Sequence, residues 1–166
     1  SPTTATLTVQ PNTQLVKSFT PTTVAINAPF TLTLTVFNVN TSPQTNFFIT
    51  DTLPAGIIAD SIASNTCGGT ASVLSAGTVI DLPVAGTSIG PNASCAIVVN
   101  VHATAKGAFT NDQNNLNTSV IINKTTTTTV TVPNSIDLTI AKTITSSAPY
   151  IAGTSSVTYS LVAKNN

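Results

Sequence analysis

Three polar residues stand in strings of apolar ones at strand spacing. Lys17 lies between Leu15 and Phe19, Asp51 follows Phe47 and Ile49 and precedes Leu53, and Asn111 follows Phe109. Side chains two apart on a β-strand share a face, so each of these groups points where its apolar neighbours point, toward a core. A lone ammonium or carboxylate on a buried face is costly. Two chemistries fit the set. One is a buried or half-buried ion pair between Lys17 and Asp51, with Asn111 completing the hydrogen bonds. The other is an intramolecular isopeptide crosslink. There a desolvated, neutral Lys17 amine attacks the Asn111 carboxamide, while a protonated Asp51 polarises the carbonyl and shuttles the proton. Burial favours both of the required states. The two chemistries differ by the mass of one ammonia. Lys142 is placed in the same way, among Leu138, Ile140 and Ile144.

The other reactive residues are few. Cys67 and Cys95 are the two cysteines; they fit either one disulfide or two buried thiols, and a composition that reads as secreted favours the bridge. Two Cys and one His are too few for a zinc site. His102 alternates with Asn100 and Val98, opposite the face of Cys95, Ile97, Val99 and Val101, which places it on the surface; no Ser in a strained elbow accompanies it, so no triad is expected. Asp51, Asp60, Asp81, Asp112 and Asp137 are scattered. The stretch 111–115, Asn-Asp-Gln-Asn-Asn, is oxygen-rich and reads as a solvated loop or a weak calcium site. No metal or cofactor is expected. Four sequons, at Asn40, Asn92, Asn117 and Asn123, are candidate glycan acceptors in an exported protein, although Asn, Ser and Thr are abundant enough to produce such triplets by chance.

Composition bounds the partners. Charged residues are 6% of the 166, five Lys and five Asp with no Arg or Glu, and the net charge is zero, where about a quarter of residues is usual. Nucleic-acid binding needs a basic stripe and membrane-surface binding usually needs one too; neither is present. Apolar runs are far shorter than a membrane span. No signal peptide remains, so an exported protein would be present here as a mature form or a fragment.

The elements that must position these residues are strands. Helix formers such as Glu, Arg and Met are missing, while β-branched Thr and Val abound. Phe30 to Val36 alternates apolar and polar without error, the mark of a half-buried strand. Further strands are expected over 15–19, 46–53, 78–82, 94–103, 108–111, 117–122 and 126–132. The run Thr125 to Thr129 reads as the opening of the last strand or as an O-glycosylated linker. Turn signals at Pro21, Ser42-Pro43, Leu53-Pro54-Ala55-Gly56, Gly68-Gly69, Gly90-Pro91-Asn92 and Lys106-Gly107 separate the strands. Short strands at this spacing predict an all-β sandwich.

An internal repeat sets the domain plan. Val9, Pro11-Asn12 and Leu15-Val16-Lys17 return as Val132, Pro133-Asn134 and Ile140-Ala141-Lys142, an offset of 142 − 17 = 125 residues between the lysines. Residues 11–133 are therefore expected to form one complete module. Residues 1–10 read as the last strand of a preceding module or a donor strand. Residues 134–166 read as the first two strands of a following module or an exchanged segment, since two strands alone do not bury a core.

At these residues the chain resembles the "conserved repeat domain" family of bacterial and archaeal surface proteins, also called domain of unknown function eleven. The likeness is carried by Leu15 to Pro21, the strand from Phe30 to Asn38, Thr50-Asp51-Thr52-Leu53-Pro54-Ala55-Gly56, Thr66-Cys67-Gly68-Gly69, Cys95 to Val99, and Phe109-Thr110-Asn111. The resemblance implies an immunoglobulin-like sandwich in long, exported, often fibrous proteins, without enzymatic activity, and it supports the Cys67–Cys95 pairing. The order of Lys, Asp and Asn along the chain is similar to that of crosslinked pilin and adhesin modules of Gram-positive bacteria, a different set of domains. The functional expectation is a structural subunit or shaft module of an extracellular filament or stalk, partnered by copies of itself or by adjacent modules, and polymerising by strand donation. The alternative is an adhesin or carbohydrate-binding module, which needs exposed aromatic rings; aromatics are only 5% of the chain.

Overall fold

The computed structural model describes residues 13–119, 122–123, 126–134, 138–146 and 148–165. The expected strand over 1–10 lies outside them. The chain divides into two compact units, Ser1–Pro133 and Asn134–Asn166.

In the first unit the strands are β1 (Thr13–Thr20), β2 (Pro29–Phe37), β3 (Gln44–Thr45), β4 (Ile49–Thr52), β5 (Ile57–Asn65), β6 (Ser72–Leu74), β7 (Val79–Leu82), β8 (Ser88–Ile89), β9 (Ser94–Ala103), β10 (Gly107–Asp112), β11 (Leu116–Thr118), β12 (Ile122–Asn123) and β13 (Thr127–Val132). One sheet has the order β12-β1-β2-β9-β5, a second the order β11-β4-β7-β6, and β10 pairs with β13. The inward sides are those the alternation marks: Phe30, Leu32, Leu34 and Val36 on β2 and Cys95, Ile97, Val99 and Val101 on β9 are all buried. Ile49 on β4, Ile80 and Leu82 on β7, and Val130 and Val132 on β13 are buried in the same core. The result is an all-β, immunoglobulin-like sandwich.

The antiparallel β10–β13 pair lies against β1. The Lys17 and Phe19 amides of β1 donate to the hydroxyls of Thr126 and Thr128, at 2.9 and 3.0 Å. Backbone bonds between Val24 and Thr131 and between Thr131 and Thr22 continue the seam. The Thr run is thus the last strand with its lead-in from Thr126, and its hydroxyls stand in for ladder carbonyls.

Besides the short strands β3, β6 and β8, which were not expected, three segments depart from expectation. The strand expected over 46–53 is confined to Ile49–Thr52, because Asn46 takes a left-handed φ of 58° that interrupts an extended run. The strand expected over 117–122 is divided: β11 pairs with β4, and β12 pairs in parallel with β1 in the other sheet. β5 was not anticipated. Two register shifts, between Ala59 and Ser61 and between Ile62 and Ser64, break the period of two by which a strand is recognised. The Asp51–Gly56 turn depends on Gly56, whose φ is +102° and where a Cβ would run into the Phe109 ring.

The second unit is a hairpin of β14 (Leu138–Ile144) and β15 (Tyr159–Asn165). Its register reproduces that of β1 and β2. Lys142 faces Leu161 as Lys17 faces Leu34, Ile140 faces Ala163 as Leu15 faces Val36, and Ile144 faces Tyr159 as Phe19 faces Leu32.

Candidate functional site: a buried lysine, aspartate and asparagine

The two larger sheets and the β10–β13 pair bring Lys17, Asp51 and Asn111 together from β1, β4 and β10. Alternation dictates the direction of each. On β1, Thr13, Leu15, Lys17 and Phe19 are buried and the residues between them exposed. On β4, Ile49 and Asp51 face in; on β10, Asn111 is the buried residue. The Lys17 and Asp51 side chains have 0% exposure each, and Asn111 has 0%.

The Lys17 Nζ donates to Asp51 Oδ1 at 2.7 Å, to the Asp112 carbonyl at 2.9 Å, and to Asn111 Oδ1. The Asn111 Nδ2 donates to the other carboxyl oxygen, Asp51 Oδ2, at 2.7 Å. One carboxyl group therefore spans the lysine nitrogen and the amide nitrogen. Burial pushes the Lys17 amine below its ordinary value, against the pull of the Asp51 charge. Burial likewise pushes the Asp51 carboxyl up, against Lys17 and the hydrogen bond from Asn111. Water exclusion thus drives both groups toward their neutral forms. The arrangement can hold an ion pair, or it can place a neutral amine against a carboxamide with an acid alongside.

The Asp112 carbonyl, a third acceptor for Lys17, was not legible in the sequence: backbone groups carry no residue signature. Asn38 was missed as well. It is 2% exposed, its Nδ2 donates to the carbonyls of Ser42 and Gly90 at 2.8 and 2.9 Å, and its Oδ1 accepts from the Asn40 amide. An Asn-x-Asn ahead of a Ser-Pro turn was the available signal.

The remaining candidates are placed as follows. Cys67 and Cys95 form a disulfide. His102 lies outside the core, its Nδ1 2.9 Å from Asp60 Oδ1. The oxygens of the 111–115 stretch cap a short 3-10 turn: Asp112 Oδ1 accepts from the Asn114 amide and Asn115 Oδ1 from the Asp112 amide. Asn92 and Asn117 are exposed, whereas Asn40 is 7% exposed, with its Oδ1 buried and without a hydrogen-bond partner. The side chain of Asn123 and residues 124–125 lie outside the described residues. No group of three or more metal-ligating side chains occurs among the described residues, and none of their helices is long and apolar enough to cross a membrane.

Comparison with known proteins bears on the fold. A non-cellulosomal cohesin from the hyperthermophilic archaeon Archaeoglobus fulgidus superposes with a TM-score of 0.50 at 9% identity, over 74% of this chain and 92% of that one. BslA, a bacterial hydrophobin, gives 0.46 at 17% identity, over 75% of this chain and 96% of that one. At such identity the cohesin likeness shows a shared β-sandwich and nothing about ligands. No curated protein sequence matches the chain. The two sheets, their core and the polar cluster all fall within residues 13–132, the span that matches the family described as Domain of unknown function (DUF7933), and the chain belongs to that family.

Proposed function

We propose that this chain is a structural module of an extracellular surface filament or stalk, partnered by copies of itself or by adjacent modules of the same kind. The observation that carries the reading is the 138–165 hairpin. It repeats β1–β2 in register, yet the face that builds the core in the first unit is open in the second. Leu15 and Leu34 are 1% and 0% exposed, while their counterparts Ile140 and Leu161 are 74% and 69% exposed. An apolar strand face of this kind gains by docking against the opposite sheet of a sandwich. Residues 134–166 are accordingly the start of a following module or a segment exchanged with a neighbour, and 11–133 is the complete module. Arrays of this type form rods in which each module touches only its neighbours.

Several features support the setting. A disulfide persists in oxidising compartments. Exposed sequons at Asn92 and Asn117 offer glycan sites on a surface poor in charge. The kinship to conserved repeat domains of surface proteins belongs to this reading. So does the absence of an enzymatic role toward any outside substrate. The adhesin or carbohydrate-binding alternative asks for grouped exposed rings, and in the first unit the exposed ring among the described residues is Phe37 alone, at 39%.

The test is electron microscopy of material sheared from native cells, labelled with antibody raised against residues 13–132. Label spaced at one module along fibres or surface stalks is the expected result. Label confined to the cell interior, or to discrete globular particles, overturns the reading.

A further inference from the structure

We propose that Lys17 and Asn111 are joined by an isopeptide bond that the folded module forms in itself, with Asp51 as the proton-transferring acid. The proposal rests on geometry. Three polar side chains from three strands converge in a site closed to water, and their contacts set the amine, the carboxamide and the carboxyl group side by side. The Lys17 Nζ is in contact with Asn111 Oδ1, so the carboxamide carbon is the next atom along. The two oxygens of Asp51 reach the amine on one side and the amide nitrogen on the other, each at 2.7 Å.

The step balances without a co-reactant. The lone pair of the neutral Lys17 amine attacks Asn111 Cγ, once the carboxamide turns about its Cβ–Cγ bond to present that carbon. Protonated Asp51 donates a hydrogen bond to the carboxamide oxygen as negative charge develops there. The proton lost by Nζ passes through the Asp51 carboxyl to Nδ2. The Cγ–Nδ2 bond breaks, ammonia leaves, and a secondary amide remains. Nothing is oxidised or reduced. The reaction needs a neutral lysine and a protonated aspartate, and burial moves both groups that way. The three acceptors around Nζ would also satisfy an ammonium, so the covalent state is distinguished by mass and not by its hydrogen bonds.

The position of the bond has a mechanical consequence, which rests on the proposed structural role. Lys17 is on the first strand of the module, and Asn111 is on β10, paired through six register positions with the last strand, β13. The two residues are 94 apart in sequence. Tension applied through β1 and β13 would cross the module by way of the bond and β10, leaving the intervening chain unloaded. The bond itself does not depend on the chain being part of a filament, so it can fail or hold independently of that reading.

The experiment is intact-mass spectrometry of the full chain, folded, then denatured and reduced. The expected mass is about 17 Da below that of the sequence, the loss of one ammonia. Trypsin then leaves residues 1–106 joined to 107–124, with no cut after Lys17, and fragmentation places the link at Lys17 and Asn111. Lys17→Met and Asp51→Asn are each expected to restore the unshifted mass. An unshifted mass in folded wild-type protein, or a free 1–17 peptide, overturns the proposal. So does an ammonia loss that persists in Lys17→Met, because it would mark a reaction that does not use Lys17, such as succinimide formation at an asparagine.

Discussion

Reducing the Cys67–Cys95 disulfide should lower the stability of the sandwich by about 3.6 kcal/mol and loosen one sheet edge first. The bridge closes a loop of 28 residues. Taking the loop-closure entropy as about −2.1 − 1.5R ln n cal/mol/K, a loop of that size gives about 12 cal/mol/K, or about 3.6 kcal/mol at 25 °C. For a domain of this size the midpoint of thermal unfolding should fall by about 10–15 °C. The loss has a location. Among the described residues β5 is at the edge of its sheet and has β9 as its only ladder partner, and it carries two bulges. The last β5–β9 pair is Asn65 with Ile97, and the disulfide lies just beyond it. Without the bridge that end of the edge strand is held by the ladder, by the bonds that the Thr66 amide and hydroxyl make with Ala96, and by the bond from the Ser88 amide to the Cys67 carbonyl. Urea unfolding of the same protein with and without reductant measures the magnitude, and hydrogen exchange the location. Amides of 57–65 should exchange faster after reduction, while those shared by β2 and β9 stay protected. A loss under about 1 kcal/mol, or loosening that begins elsewhere in the sandwich, refutes the loop-entropy reasoning.

Two other substitutions probe local structure. Gly56→Ala forces a side chain into a backbone at φ +102° and into the Phe109 ring; a destabilisation of about 2–3 kcal/mol is expected from the urea midpoint. Asn38→Ala strips partners from the Ser42 and Gly90 carbonyls and the Asn40 amide; it should cost about 2 kcal/mol, with faster exchange at the Asn40 amide as its signature.

Much of the chemistry was legible in one dimension because strand alternation is a local property. Lys17, Asp51 and Asn111 could each be assigned to a buried face from neighbours two residues away. Scarcity of charge then left few ways to satisfy them. The disulfide was one of two readings open to the two cysteines, favoured by a composition that reads as secreted. The repeat of Lys17 at Lys142 anticipated the shared register of the two hairpins. The limits were equally local in origin. β5 escaped because its bulges break the period. The 117–122 segment was read as one strand because nothing in its residues marks the crossing between sheets.

What the sequence determined by itself is which residues face in, since that depends on the pleat and on neighbours along the strand. What the tertiary structure decided is which inward residues meet. Lys17 reaches Asp51 across 34 residues and Asn111 across 94, and only the packing of the sheets that hold β1, β4 and β10 sets those distances. The same stacking closed the site to water, so that groups charged in an unfolded chain are driven toward neutral forms. It also sorted the sequons, burying Asn40 while leaving Asn92 and Asn117 exposed, because burial is a property of the assembled layers and not of the Asn-x-Ser/Thr triplet.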